Sequence, residues 1–146
     1  LNKINLHTPK ISSHSAEIAK ILEIRNKLKK YQIKFIKKNK GCVLEGRDSG
    51  TKILRKADVK FFFKCKLETA AKRRFIELQK KGIKINFKTV KKALKLRNIS
   101  DKNRRYSPLK KAKNAVIVDT SKIGKKAMLI KMTKYVERVI KSKYVK

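Results

Sequence analysis

The sequence predicts an α/β fold with a mostly parallel sheet, because short apolar segments alternate with longer segments of helical periodicity. Three apolar runs have the length and composition of buried strands: residues 42–44, 59–63 and 115–118. In such folds the ligand lies beyond the carboxyl ends of the strands. We therefore expect the polar loops at residues 46–51 and 119–121 to lie on the binding face.

The first helix boundaries follow from apolar spacing and from the residues that start or stop a helix. Serines within residues 12–15 can act as N-caps, and apolar side chains then recur at helical spacing, which predicts one amphipathic helix to about Lys38. A second helix is predicted over residues 67–81. It ends at Gly82 and has a basic last turn, as helix C-termini favour.

Two further helices complete the predicted order. Asn86 has the side chain of an N-cap and precedes apolar residues at helical spacing. The polar segment at residues 98–108 is predicted to be a loop. A final helix is predicted over residues 123–140.

Lysine dominates the charge of this chain. The 146 residues hold 44 Lys plus Arg against 10 Asp plus Glu, a formal net charge of +34, which excludes a preference for cationic partners. A basic surface attracts nucleic acid, because bound phosphates release their counterions. However, 35 of the basic residues are lysines spread from Lys3 to Lys146. Drift under a biased codon usage therefore explains the charge as well as selection for a polyanion does.

Length and apolar content exclude other classes. A chain of 146 residues, 40% of them hydrophobic, suits one folded domain or a piece of a larger one. Its longest apolar stretches, such as residues 59–63, are too short to span a membrane, and residues 1–11 lack the pattern of a secretory signal. Cys42 and Cys65 have no metal or redox spacing and lie in apolar runs. We expect both to be buried free thiols in a cytoplasmic protein.

The nine arginines are more informative than the lysines, because Arg forms paired bonds to phosphate. Most of them fall in three ordered segments: G-R-D-S-G-T at 46–51; V-K-F-F-F at 59–63 with E-T-A-A-K-R-R at 68–74; and R-N-I-S-D-K-N-R at 97–104 with A-V-I-V-D-T-S at 115–121. The order and spacing resemble bacterial cytidylate kinases, the (d)CMP kinases among nucleoside monophosphate kinases. The resemblance covers nearly the whole chain and implies a P-loop nucleoside-monophosphate-kinase-like parallel sheet with helices.

The resemblance also implies the site residues. Phosphoryl transfer needs positioning and dense positive charge around the phosphates, which Arg side chains supply. It implies ATP as phosphoryl donor, CMP or dCMP as acceptor, Mg²⁺, no protein metal ligand among the site residues, and a monomer. The implied groups are Arg25, Arg47, Asp48 and Asp101 for CMP; Arg97 and Arg104 as catalytic phosphate clamps; and Arg73 and Arg74 for ATP at the start of a mobile lid.

Each assignment has an alternative in which the residue is merely structural. The set Arg97, Asp101 and Arg104 could be simple ion pairs along a helix, and residues 46–51 could be an ordinary turn. The main rival function is a non-catalytic, lysine-rich protein that binds nucleic acid. A uridylate or adenylate kinase is a second rival. For a cytidylate kinase, contact with nucleic acid would be only non-specific.

The 146 residues contain no phosphate-binding G-x-x-x-x-G-K-[ST] run. The resemblance thus implies an N-terminally truncated kinase, inactive alone. Two substitutions weaken the predicted CMP site: Asn98 replaces the family's Asp, and Ala16 replaces a serine that contacts CMP. The predicted regions are 1–40, the remainder of the CMP-binding region; 41–66, core strands with the G-R-D loop; 67–108, lid and flanking helices; and 109–146, the C-terminal core strand and helix.

Overall fold

The computed structural model describes residues 8–39 and 41–144. The chain divides into two compact units, one formed by Leu1–Leu54 with Leu96–Lys110 and the other by Arg55–Lys95 with Lys111–Lys146. The elements, in order, are helices α1 (Pro9–Ile18) and α2 (Leu22–Lys38), a π-helical turn (Ser49–Ile53), strand β1 (Phe61–Lys64), helices α3 (Leu67–Lys80) and α4 (Phe87–Asn103), strand β2 (Val116–Asp119) and helix α5 (Lys125–Tyr144).

The first predicted helix is two helices. Thr8, not one of the serines at 12–15, is the N-cap of α1, and its hydroxyl accepts a hydrogen bond from the Ile11 amide at 3.2 Å. Pro9 follows at the first helical position, where a missing amide hydrogen costs nothing. The backbone then turns, and Ile21 is extended (φ −81°, ψ 117°) before α2 begins. Apolar spacing continues across this break, so periodicity alone did not reveal it.

The prediction of an α/β fold with a parallel sheet is confirmed in the second unit. There β1 and β2 pair in parallel, with Phe61 opposite Val116 and Lys64 opposite Asp119. Both strands lie within two residues of the predicted positions. The buried apolar residues all belong to this unit, which therefore holds the hydrophobic core of the described chain: Ala71, Leu78, Val90, Ala112, Ala115 and Val118.

Helix α3 begins and ends almost where its sequence predicts, and α4 begins at its predicted N-cap. Gly82 has a φ of +72° and donates its amide to the Gln79 carbonyl at 2.9 Å, while the Ile83 amide bonds to the Leu78 carbonyl at 3.0 Å. This paired arrangement ends α3 and requires a left-handed residue, which is why glycine occurs here. Asn86 caps α4, since its side chain accepts from the Lys88 amide at 2.7 Å.

Several predictions about the remaining segments are wrong. Residues 42–44 form no strand, because they have no ladder partner in the described part of the chain, and Val43 is fully exposed. Both cysteines are exposed rather than buried: Cys42 lies in this unpaired segment, and Cys65 follows the end of β1. Residues 98–103, predicted as loop, continue α4, because their polar side chains serve a cluster of charges around Asp101.

Candidate active site

The first unit is organised around two aspartates rather than an apolar core. Asp48 and Asp101 are its buried residues among those whose burial is described, exposed by 8% and 5%. A buried carboxylate is costly unless it is paired and hydrogen-bonded. Each of these carboxylates is bonded to arginine, so the charged groups, not aliphatic side chains, define the centre of this unit.

Arg25 reaches Asp48 across 23 positions of sequence, and its Nη2 donates to the Asp48 carboxylate. The Nη1 of the same guanidinium donates to the Ala19 carbonyl at 3.1 Å. That carbonyl lies just after the end of α1, where helix geometry leaves backbone acceptors unsatisfied. The break between α1 and α2 thus supplies the acceptor that holds the Arg25 guanidinium in place.

The π-helical turn after Asp48 fixes the other partner of this pair. The Asp48 carbonyl accepts hydrogen bonds from the Lys52 amide at 2.8 Å and the Thr51 amide at 3.2 Å. Leu54 then closes the wider turn by donating its amide to the Ser49 carbonyl at 2.7 Å. Turns of this kind are rare and occur often at functional sites, which suits a loop that must present a buried carboxylate.

Asp101 lies in the last turn of α4, and its carboxylate contacts the side chains of three arginines. Arg47 Nε donates to Oδ2 at 2.7 Å, Arg104 Nη1 donates to Oδ1 at 3.4 Å, and Arg97 Nε lies 3.9 Å from Oδ2. Arg97 and Arg104 stand four residues before and three residues after Asp101. Helical spacing therefore brings both onto one side of the segment.

Arg104 is the most buried of the arginines, with 6% of its side chain exposed. Its Nε donates to the Ser107 carbonyl at 2.6 Å. Ser107 has a φ of +51°, a left-handed conformation that is uncommon for serine and that occurs here just before Pro108. Nη2 of Arg104 is buried and has no hydrogen-bond partner among the described residues. The Arg104 guanidinium is therefore held in place through Nε and Nη1, while its Nη2 keeps hydrogen-bond donors that are free among the described residues.

The resulting arginine cluster, formed by Arg25, Arg47, Asp48, Arg97, Asp101 and Arg104, has four guanidinium groups and two carboxylates, an excess of two positive charges. Burial lowers the pKa of Arg104, and the neighbouring Arg25 charge lowers it further, while Asp101 and Asp48 oppose this effect. A bound anion would relieve the repulsion between the guanidinium groups. The cluster is suited to an anionic ligand.

Arg73 and Arg74, predicted to contact ATP, lie in the second unit and are engaged there. Arg73 Nη2 donates to the Thr120 carbonyl at 2.7 Å and to the Ile123 carbonyl at 3.0 Å. Arg74 Nη1 donates to Glu77 at 2.8 Å. Arg73 thereby connects α3 to the segment that follows β2. The predicted ATP role of both residues stays a prediction.

The predicted site residues of the first unit thus come together, and two partners in it are new. The Ala19 and Ser107 carbonyls were not predicted. The Ser-Pro pair at residues 107–108 predicts extended backbone at Ser107, not the left-handed conformation found there, and the sequence has no signal for Ala19. Of the two departures from the resemblance, Ala16 lies in α1 and Asn98 in α4, and both are half-buried.

The described residues include no group of three or more His, Cys, Asp or Glu side chains that could hold a metal ion. Asp48 and Asp101 are already bonded to arginines, so they do not fit a Mg²⁺ site as they stand. No helix in the described part of the chain is long and apolar enough to cross a membrane.

Comparison with known proteins identifies the family. A family profile described as Cytidylate kinase matches residues 1–138. A cytidylate kinase of Thermosipho melanesiensis is 39% identical over 136 residues, which cover 93% of this chain and 62% of that protein. A cytidylate kinase of Caldicellulosiruptor bescii is 32% identical over 137 residues, covering 94% and 60%. One from Clostridium botulinum is 41% identical over 117 residues, covering 80% and 54%.

The α/β fold and the profile match place the chain among the nucleoside monophosphate kinases. Within that group, the chain belongs to the cytidylate kinase family. The resemblance inferred from the three ordered motifs is confirmed. The chain spans between 54% and 62% of the length of these three relatives.

Proposed function

We propose that the arginine cluster binds the phosphate of CMP or dCMP. The observation that carries this proposal is the excess of two positive charges, together with the buried Nη2 of Arg104 that has no partner among the described residues. A phosphate monoester carries close to two negative charges at neutral pH and several strong acceptor oxygens. Guanidinium groups match such acceptors through paired, charge-assisted hydrogen bonds.

Within this proposal the residues have separate roles. Arg47, Arg97 and Arg104 hold phosphate oxygens, with Arg97 and Arg104 acting on the transferred phosphoryl group. Arg25 and Asp48 lie on the cytosine side of the ligand. Asp101 contacts the pentose and, by pairing with three arginines, keeps their positive charges close together.

For the whole protein we propose transfer of the γ-phosphoryl group of ATP to CMP or dCMP, which gives ADP and CDP or dCDP. Mg²⁺ would neutralise charge on the phosphates when bound. The 146 residues contain no G-x-x-x-x-G-K-[ST] run, so they supply no P-loop to hold ATP. We therefore expect the purified chain alone to bind CMP without useful kinase activity. ADP formation from ATP and CMP at normal kinase rates would contradict this expectation.

Calorimetric titration tests the acceptor site. We expect CMP to bind the chain and cytidine, which lacks the phosphate, to bind at least about tenfold more weakly. The Arg104→Gln variant should lose at least about tenfold in CMP affinity, because charged hydrogen bonds to the phosphate are removed. Arg138→Gln is the matched control, since Arg138 is exposed on α5. Equal affinity for CMP and cytidine, or equal loss in both variants, would contradict the proposal.

A second candidate function is non-specific binding of nucleic acid, and a basic stripe on α5 favours it. Lys131, Lys134, Arg138 and Lys141 are exposed and recur at spacings of three or four residues, which places them along one side of the helix. Affinity for single-stranded RNA should then fall steeply with salt. CMP binding lost only in Arg104→Gln identifies the first function, whereas salt-sensitive RNA binding without CMP binding identifies the second.

A further inference from the structure

The backbone at Ser107 is unusual for its sequence. Its φ of +51° lies in the left-handed region, although serine disfavours that region and the following Pro108 favours an extended residue before it. A neighbouring hydrogen bond supports this conformation, because the Leu109 amide donates to the Asp101 carbonyl at 2.7 Å and the chain turns back onto the end of α4. Costly backbone conformations of this kind persist mainly where the surrounding structure fixes them, and they cluster at functional sites.

The left-handed turn directs one carbonyl at Arg104. The Ser107 carbonyl accepts a hydrogen bond of 2.6 Å from Arg104 Nε. The direction of a carbonyl depends on the φ and ψ angles of its own residue, so an extended Ser107 would point this oxygen elsewhere. The conformation of Ser107 therefore makes the acceptor available to Arg104.

This hydrogen bond orients the guanidinium group of Arg104. The group is planar and rigid, so fixing Nε also limits where Nη1 and Nη2 can lie. The bond from Nη1 to Asp101 Oδ1 is longer, at 3.4 Å, and constrains the group less. Nη2 is buried and has no hydrogen-bond partner among the described residues. The direction in which Nη2 points thus depends mainly on the bond to Ser107.

We propose that Ser107 is a positioning residue for the phosphate of CMP, because its left-handed backbone directs Arg104 Nη2 toward that phosphate. This inference rests on the proposed function, in which Arg104 holds a phosphate oxygen. Ser107 acts through its backbone carbonyl and not through its hydroxyl, so the requirement at position 107 is tolerance of a positive φ. A misdirected guanidinium forms poorer charged hydrogen bonds to phosphate and leaves contacts with the base unchanged.

Two variants separate the backbone of Ser107 from its side chain. Ser107→Gly removes the hydroxyl but adopts a positive φ freely, and it is the conservative variant. Ser107→Val is β-branched and rarely adopts a positive φ. In calorimetric titration of the full chain, we expect CMP affinity to stay within about twofold of the parent value in the glycine variant and to fall at least about fivefold in the valine variant. Affinity for cytidine, which lacks the phosphate, should change by less than about twofold in both.

Asn114→Val is the matched control. Asn114 also has a left-handed backbone, with φ at +60°, but it belongs to the second unit, whereas the arginine cluster belongs to the first. Thermal unfolding should show that both valine variants are destabilised, while only Ser107→Val loses affinity for CMP. Equal loss of CMP affinity in both valine variants would mean that reduced stability causes it, and this result would overturn the proposal. So would a Ser107→Val variant that binds CMP as tightly as Ser107→Gly does.

The Nε–H resonance of Arg104 gives a readout that does not need CMP. Its signal in the spectrum of the ¹⁵N-labelled chain is identified by its loss in Arg104→Gln. A buried, hydrogen-bonded Nε–H exchanges slowly with water, so exchange should be slow in the parent chain and in Ser107→Gly and fast in Ser107→Val. Slow exchange in all three would overturn the positioning role. Failure of CMP to bind the parent chain would instead remove the proposed function, while this resonance would still show whether Ser107 orients Arg104.

Discussion

Arg47 and Asp101 lie 54 residues apart in the sequence, and a hydrogen bond of 2.7 Å joins Arg47 Nε to Asp101 Oδ2. Asp101 also contacts Arg97 and Arg104, so one buried carboxylate connects the loop before the π-helical turn with the end of α4. The described buried residues of the first unit are two aspartates. This hydrogen bond therefore links its segments, as contacts between buried apolar side chains do in the second unit.

Replacing Asp101 should therefore destabilise the protein. In Asp101→Asn the arginines lose their shared counter-charge, and Arg104 stays buried without it. We expect the free energy of unfolding to fall by about 2–3 kcal/mol. Urea unfolding followed by circular dichroism measures this change. Asp58→Asn is the control, because Asp58 pairs with Lys143 at the exposed surface and such pairs contribute little. Equal stability of the two variants would contradict the role of Asp101.

The Glu77 carboxylate should make stability depend on pH in the acid range. Hydrogen bonds from Arg74 and Lys81 lower the pKa of Glu77 from an ordinary value of 4.5 to about 2. Because the folded pKa lies below the unfolded one, the stabilisation is present above about pH 4.5 and is lost as the pH falls towards 2. The side chain is 44% exposed, so solvent limits the effect to less than about 1 kcal/mol.

Unfolding of the parent chain and of Glu77→Gln, measured from pH 7 to pH 2, checks this expectation. The stability difference between the two should be constant near neutral pH and should disappear as the carboxylate is protonated. A difference that does not change with pH would mean that the charge of Glu77 contributes nothing.

Gly82→Ala should destabilise α3 at its end. With φ at +72°, alanine at this position costs about 1 kcal/mol, because its Cβ crowds the backbone. Gly41→Ala is the matched control, since a Cβ at Gly41 meets no atom within 4 Å. Thermal unfolding of both variants measures the difference. A Gly82→Ala variant as stable as the control would contradict the requirement for a left-handed residue.

Both thiols should react in the folded protein. Cys42 and Cys65 are exposed, so Ellman's reagent should titrate both without denaturant. The Cys42→Ser variant should then retain one reactive thiol. A thiol that reacts only after urea is added would restore the original prediction of a buried cysteine.

The sequence predicted the regular elements of the second unit well, since their signals are local. Gly82 and Asn86 act at the positions where they stand, and apolar runs of β-branched and aromatic residues form β1 and β2. The same reasoning failed at residues 42–44, because apolar character indicates a strand only where another strand is available to pair with it. Cys42 is exposed because residues 42–44 form no strand, and Cys65 is exposed because it lies just beyond the last residue of β1, Lys64.

The arginines of the first unit were selected by motif resemblance, and the fold brings them together. Their backbone partners were not predicted, because a carbonyl carries no residue-specific signal. Ala19 becomes an acceptor only because α1 ends there, and Ser107 only because its backbone turns left-handed before Pro108. Side-chain chemistry can be inferred from sequence, whereas the free backbone groups depend on where helices happen to stop.

The π-helical turn at Ser49–Ile53 makes the length of this loop as important as its composition. A π-turn holds one residue more than the α-helical turn it would otherwise be. Deleting one residue within it would force a narrower turn that lacks the Leu54-to-Ser49 hydrogen bond and would change the backbone directly after Asp48. The Asp48 carboxylate would then shift relative to Arg25 although neither of these two residues had changed. We therefore expect the Asp48–Arg25 pair to survive substitutions in this loop but to be lost when a single residue is deleted from it.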